Sequence, residues 1–124
     1  NSLTIGSRVF LNSNVMVNAD HCGRILIGND VLIGPNVVIR ASNHEFRARS
    51  LPILSQGHKG GEIVIEDDVW IGPNATISNK LKVGKGAFIT MGAVVTRSVS
   101  PHEKVSGNFA VDHAKFMDFI KSIR

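Results

Sequence analysis

Ile65-Glu-Asp-Asp-Val-Trp-Ile71-Gly-Pro-Asn-Ala-Thr-Ile77-Ser-Asn-Lys-Leu-Lys-Val83-Gly-Lys-Gly-Ala-Phe-Ile89-Thr-Met-Gly-Ala-Val-Val95 carries a β-branched aliphatic residue at every sixth position. The same step continues toward the N-terminus through Ile27, Ile33 and Ile39, and before them through Ile5, Leu11 and Val17. Ile, Leu and Val fill all twelve anchors, a coincidence of order ~10⁻⁷ for residue types of their abundance in this chain. Four residues after each anchor stands a second small or apolar residue, such as Val31, Val69, Ala75 or Ala93, and only His21 and Asn43 break that rule. Gly follows the anchor directly at positions 6, 28, 34, 72 and 84, where a corner favours a residue without Cβ. A period of six fits neither a helix nor a hairpin meander; it fits short strands joined by tight corners, three to a coil. The expectation is a parallel β-helix of about four triangular coils with inward aliphatic columns. After Val99 the pattern stops, and Phe116, Met117, Phe119, Ile120 and Ile123 recur at helical spacing behind Asp112, a candidate N-cap.

The repeat breaks twice. The step from Val17 to Ile27 is four residues too long, and that from Ile39 to Ile65 twenty too long. Val17 and Ile39 are each the third anchor of their coil, so both insertions leave the prism along one edge. Insertions gathered on one side of a repeat protein mark its binding face. The first carries Asp20, His21 and Cys22; the second carries His44, Arg47, Arg49, His58 and Lys59. Stacking alone brings Asp20 or His21 within about 5–10 Å of His44. Imidazole titrates near neutrality, so a His at this edge suits general-base chemistry. Cys22 is expected to be buried and inert.

Composition narrows the classes. The chain has 124 residues, net charge +4, one cysteine and no tyrosine. No apolar run is long enough to span a bilayer, no signal-peptide pattern is present, and a lone cysteine fits a reducing compartment, so the cytoplasm is expected. The basic residues are scattered and not interleaved with aromatics, which argues against nucleic acid. The sequence opens at Asn1 rather than Met, which leaves room for a preceding segment.

The stretch 65–77, with Val83-Gly84-Lys-Gly-Ala87 and Ile89 through Arg97, resembles the hexapeptide-repeat left-handed β-helix acyltransferases. Among them it is most similar to the sugar O-acetyltransferases of the galactoside, maltose and nodulation type. The resemblance implies an all-β, left-handed parallel β-helix over residues 1–110 with a loop insertion at 40–62, and a C-terminal capping helix at 111–124. It implies a homotrimer with sites between subunits, acetyl-CoA as donor, a saccharide hydroxyl as acceptor and no metal. His44 matches the family's general base, and Asn12 and Asp20 match positions that contact the acceptor. Trp70 matches an aromatic beside the pantetheine arm. Met91 stands where a small residue meets that arm, and Thr96 and Arg97 match a Thr-Lys pair at the nucleotide end. Lys80, Lys82, Lys85 and Lys104 would add positive field around the donor. Glu45 stands where the family has Pro, and Gly107-Asn108-Phe109-Ala110 replaces a Gly-Asn-Pro-Ala turn, so neither maltose nor galactoside is assigned. Three other functions use this scaffold: N-acetylation of a nucleotide-linked amino sugar, zinc chemistry of the γ-carbonic-anhydrase type, and a non-catalytic scaffold. The zinc reading would draw on His21, His44 and His58 but lacks the pair of closely spaced His that it needs.

Overall fold

The computed structural model describes residues 1–124 as three parallel sheets that form the faces of a triangular prism, an all-β left-handed β-helix followed by one helix. The first face stacks Ser2–Ile5, Arg24–Ile27, Glu62–Ile65 and Leu81–Val83. The second stacks Phe10–Leu11, Leu32–Ile33, Trp70–Ile71, Phe88–Ile89 and Lys104–Ser106, and the third Met16–Asn18, Val38–Arg40, Thr76–Ile77 and Val94–Val95. Register follows the sequence anchors. Ile5, Ile27, Ile65 and Val83 form one inward column; Leu11, Ile33, Ile71 and Ile89 form the second; Val17, Ile39, Ile77 and Val95 form the third. Side chains in a strand alternate between its two faces, so each anchor points into the prism and its preceding residue points out. Backbone N–H groups of one coil donate to carbonyls of the next, as in Leu32 N to Val69 O at 2.9 Å and Trp70 N to Ala87 O at 3.0 Å.

The corners refine the reading of the glycines. The left-handed conformation falls three residues after nine of the twelve anchors, at Asn14, Asp30, Asn36, Asp68, Asn74 and Gly86 among others, with φ between 58° and 72° at these six. Asn, Asp and Gly tolerate that region best. The glycines directly after the anchors serve a different need, the close approach of coils. A Cβ on Gly34 would lie 2.8 Å from the backbone nitrogen of Pro73, and one on Gly72 2.7 Å from that of Met91. Asn and Asp side chains also tie coil to coil: Ser7 N donates to Asn29 Oδ1 at 2.8 Å, and Asn29 N to Asp67 Oδ1 at 2.7 Å.

The repeat runs further than its six-residue phase shows. Val99 bridges to Val83, and Val105 pairs with Ile89, so a fifth, incomplete coil follows the four. Val99 stands only four residues after Val95, and this two-residue slip hides the fifth coil from a strict step of six. Val111–Asp112 then folds back antiparallel on Val105–Ser106 and ends the ladder. The helix spans His113–Ile123, with the Asp112 carboxylate accepting from Lys115 N at 3.2 Å. Its Phe116 ring lies against Gly107, while Phe119 and Ile123 stay exposed. No helix is long and apolar enough to cross a membrane.

Candidate active site

Both insertions emerge from the edge between the third and first faces. The long one is an antiparallel ribbon in which Ser42–His44 pairs with His58–Gly60, placing His44 directly opposite His58. One side chain bridges its outer part. Gln56 accepts from Ala48 N at 3.0 Å and donates to the carbonyls of Ala48 at 2.8 Å and Leu51 at 3.0 Å. The base of the ribbon returns to the prism through Gly61 N to Ala41 O at 2.7 Å and Arg24 N to Gly61 O at 2.9 Å.

The short insertion is the ribbon's seat. His21 and Cys22 both adopt left-handed backbone, with φ 56° and 65°, and their carbonyls face Gly60. A Cβ on Gly60 would collide with the Cys22 carbonyl and lie 2.8 Å from the His21 oxygen. Gly60→Ala is therefore expected to lift the ribbon and cost about 1–3 kcal/mol, the usual range for overpacking. Thermal melting and limited proteolysis within residues 45–57 check this; an unchanged melting point with unchanged protection would contradict it.

The seated ribbon assembles three imidazoles. The His21 and His58 rings stack in parallel, 3.5 Å apart at 3°, and His44 leans on His58 at 4.4 Å and 39°. It is His21, through His58, that reaches toward His44. Asp20 instead sits in a turn that Asn18 caps, its backbone N–H donating to Asn18 Oδ1 at 2.9 Å. Cys22 is exposed, contrary to expectation, because the left-handed turn carries it out of the prism. Faces rather than edges of the rings meet, and no group of His, Cys, Asp or Glu side chains is arranged to hold a metal ion. The His58 pKa lies below the usual imidazole value of 6.5, through desolvation first and then the charges of His21, His44 and Arg40. The unfolded chain consequently takes up more protons than the folded one as pH falls through 6.5. Stability is expected to drop there, and His58→Gln to flatten the fall. Melting temperatures taken about one pH unit above and about one below the ordinary imidazole value check this; an equal slope in the variant would contradict it.

His44 lines a pocket of about 160 Å³ with Asn43, Glu45, Phe46, Arg47, Lys59, Asn79 and Lys80. The other sequence candidates lie elsewhere on the same prism. Trp70 projects from the second face, the one opposite the His44 edge, 47% exposed and stacked on Phe88 at 4.1 Å. Asn12 and Met91 sit on the edge between the second and third faces, Met91 being 75% exposed. Thr96 and Arg97 occupy the His44 edge beyond the third-face strand Val94–Val95, exposed and outside the pocket. Of the lysines, Lys82 pairs with Glu66 at 3.4 Å and Lys104 lies 5.4 Å over the Phe88 ring, whereas Lys80 faces the His44 pocket. Sequence reasoning assigned neither His58 nor Gln56 its place at the site. The register that sets His58 against His44 depends on where the ribbon turns.

Residues 62–97 match the bacterial transferase hexapeptide family, six repeats. No curated protein matches the sequence. A hexapeptide-repeat-containing acetyltransferase from Vibrio cholerae superposes with a TM-score of 0.75 at 34% identity, over 87% of this chain and 59% of its own. That acetyltransferase was also solved, from Vibrio cholerae O1 biovar eltor, with acetyl coenzyme A; here the TM-score is 0.70 at 25% identity, over 89% of this chain and 69% of the other. The polySia-specific acetyltransferase NeuO superposes at 0.73 with 30% identity, over 87% of this chain and 46% of its own. AntD, an N-acyltransferase from Bacillus cereus solved with dTDP-4-amino-4,6-dideoxyglucose and coenzyme A, shares the fold at 0.72 with 16% identity, over 94% of this chain and 68% of its own.

Proposed function

We propose that this hexapeptide-repeat chain, a left-handed β-helix whose solved neighbours include acetyltransferases and an N-acyltransferase, transfers the acetyl group of acetyl-CoA to a sugar hydroxyl with His44 as general base. The observation that carries the reading is the placing of His44 in the lining of a pocket, on a ribbon that both insertions build. A ring nitrogen of His44 takes the hydroxyl proton as the sugar oxygen attacks the thioester carbonyl. The tetrahedral adduct then collapses, the C–S bond breaks, and the imidazolium returns the proton to the departing thiolate. No acyl-enzyme is required, because the acceptor attacks directly once deprotonated and held in place.

A single prism does not complete this site. Trp70 lies on the face opposite His44, and Asn12 and Met91 lie across the third face from it. These residues and His44 share a site when a second copy packs its flank against the His44 edge. The ribbon tip supports such an arrangement, with Phe46, Leu51, Ile53 and Leu54 exposed where they would reach a neighbour. So does the outward ladder of Phe10, Leu32 and Trp70 on the second face. We read the assembly as a trimer with Asn12 and Asp20 toward the acceptor, and Trp70, Met91, Thr96 and Arg97 toward the donor. The cytoplasm, which supplies acetyl-CoA and keeps a lone exposed thiol reduced, is the compartment of this reaction.

Two measurements test the reading. Mass spectrometry of the product, followed by mild alkali, separates an ester from an amide; a panel of neutral sugars, acidic sugars and nucleotide-linked amino sugars supplies the acceptors. An alkali-labile acetyl on a sugar is expected, and an alkali-stable acetyl on an amine would replace the hydroxyl acceptor with an amino sugar. Sedimentation at assay concentration is expected to give a trimer, and a fully active monomer would remove the shared site.

A further inference from the structure

We propose that the acceptor taken up beside His44 carries an anionic group, a carboxylate or a phosphate, held by Arg47, Lys59 and Lys80. The inference rests on the reading of His44 as the base and names the class of its substrate. All three cations line the His44 pocket. None is neutralised: the ion pairs of the chain are Arg8–Asp30, Arg24–Glu62 and Lys82–Glu66. Glu45 lines the same pocket, yet its carboxylate accepts from Phe46 N at 3.1 Å and pairs with no cation. A pocket with three free cations beside one otherwise engaged carboxylate has an unmet demand for negative charge, and planar guanidinium or ammonium donors bind carboxylate and phosphate well.

Lys80 adds a backbone argument. It stands three residues after the anchor Ile77 with φ 62°, at a corner position filled by Asn, Asp or Gly after most other anchors and by Arg8, there paired with Asp30, after Ile5. A lysine adopts this left-handed conformation less readily than Asn or Gly, so its cation is placed in the pocket at a conformational cost. The same cations would also suit the phosphates of the donor, and the test separates the two sources.

The full chain, labelled with ¹⁵N, is titrated with glucuronate, glucose 6-phosphate and glucose, each in the absence and presence of saturating coenzyme A. Amide shifts at Asn43, His44 and Lys59 are expected to report both anions binding about tenfold more tightly than glucose, the scale of a charge-assisted contact. Coenzyme A should leave that affinity unchanged. Lys80→Asn, which relieves the backbone and removes the charge, should weaken both anions severalfold without lowering the melting temperature. Equal affinity for glucose, displacement of the anions by coenzyme A, or unaltered binding in Lys80→Asn would each overturn the proposal. Anion binding here without any acetyl transfer would uphold the anion site and remove the role of His44 as base.

Discussion

Replacing His44 with alanine is expected to lower acetyl transfer by about 10²–10⁴-fold, the range a positioned general base contributes. The side chain is exposed on the ribbon, outside the prism's core, and its ring leans on His58, so the fold does not depend on it. Melting temperature and coenzyme A binding should therefore stay close to those of the parent chain while turnover collapses. His44→Gln keeps a polar side chain but no titrating ring, and should fall as far as alanine. A variant that retains a tenth or more of the parent rate would place the base elsewhere.

The second large effect is on stability. Ile71 is fully buried in the middle of the second column, between Ile33 in one neighbouring coil and Ile89 in the other. Its β-branched side chain suits a pleated, close-packed interior. Truncation to alanine leaves a void that fixed coils above and below cannot close, because their spacing is set by the backbone ladder. The expected cost is about 2–5 kcal/mol, a large share of the stability of a domain this size. Urea unfolding followed by circular dichroism gives the number. A loss below about 1 kcal/mol would mean that the column is loosely packed or that the coils move together. By contrast, the same truncation at Leu11, in the open first coil and 43% exposed, should cost clearly less.

The prism was legible because the inward strand position of a six-residue unit accepts little besides Ile, Leu or Val, so Ile27, Ile33 and Ile39 announce themselves by spacing alone. The left-handed corners were missed: the reading put them at the glycines directly after the anchors, whereas they fall at Asn14, Asp30, Asn36, Asp68 and Asn74, three residues behind the anchors. The fifth coil escaped because the chain shortens by two residues between Val95 and Val99, which breaks the phase without breaking the fold. At the site, the shared edge of the two insertions followed from counting, and with it the neighbourhood of His44. The partner of His44 did not follow from counting. Stacking favoured Asp20 or His21, whereas the ribbon inserts His58 between His21 and His44. That insertion depends on a register fixed by Gly60 against the Cys22 carbonyl, far away in sequence, and by Gln56 against the backbone of its own loop, and no periodicity encodes either contact.

Direct transfer from acetyl-CoA to a sugar is tested most squarely by thiol release from acetyl-CoA by the whole chain, followed as acceptor concentration is raised. Direct transfer predicts release that depends on acceptor, saturates, and matches the acetylated sugar formed mole for mole. Release at the same rate with and without every acceptor, or none at all from a chain that binds coenzyme A and anionic sugars together, would contradict it.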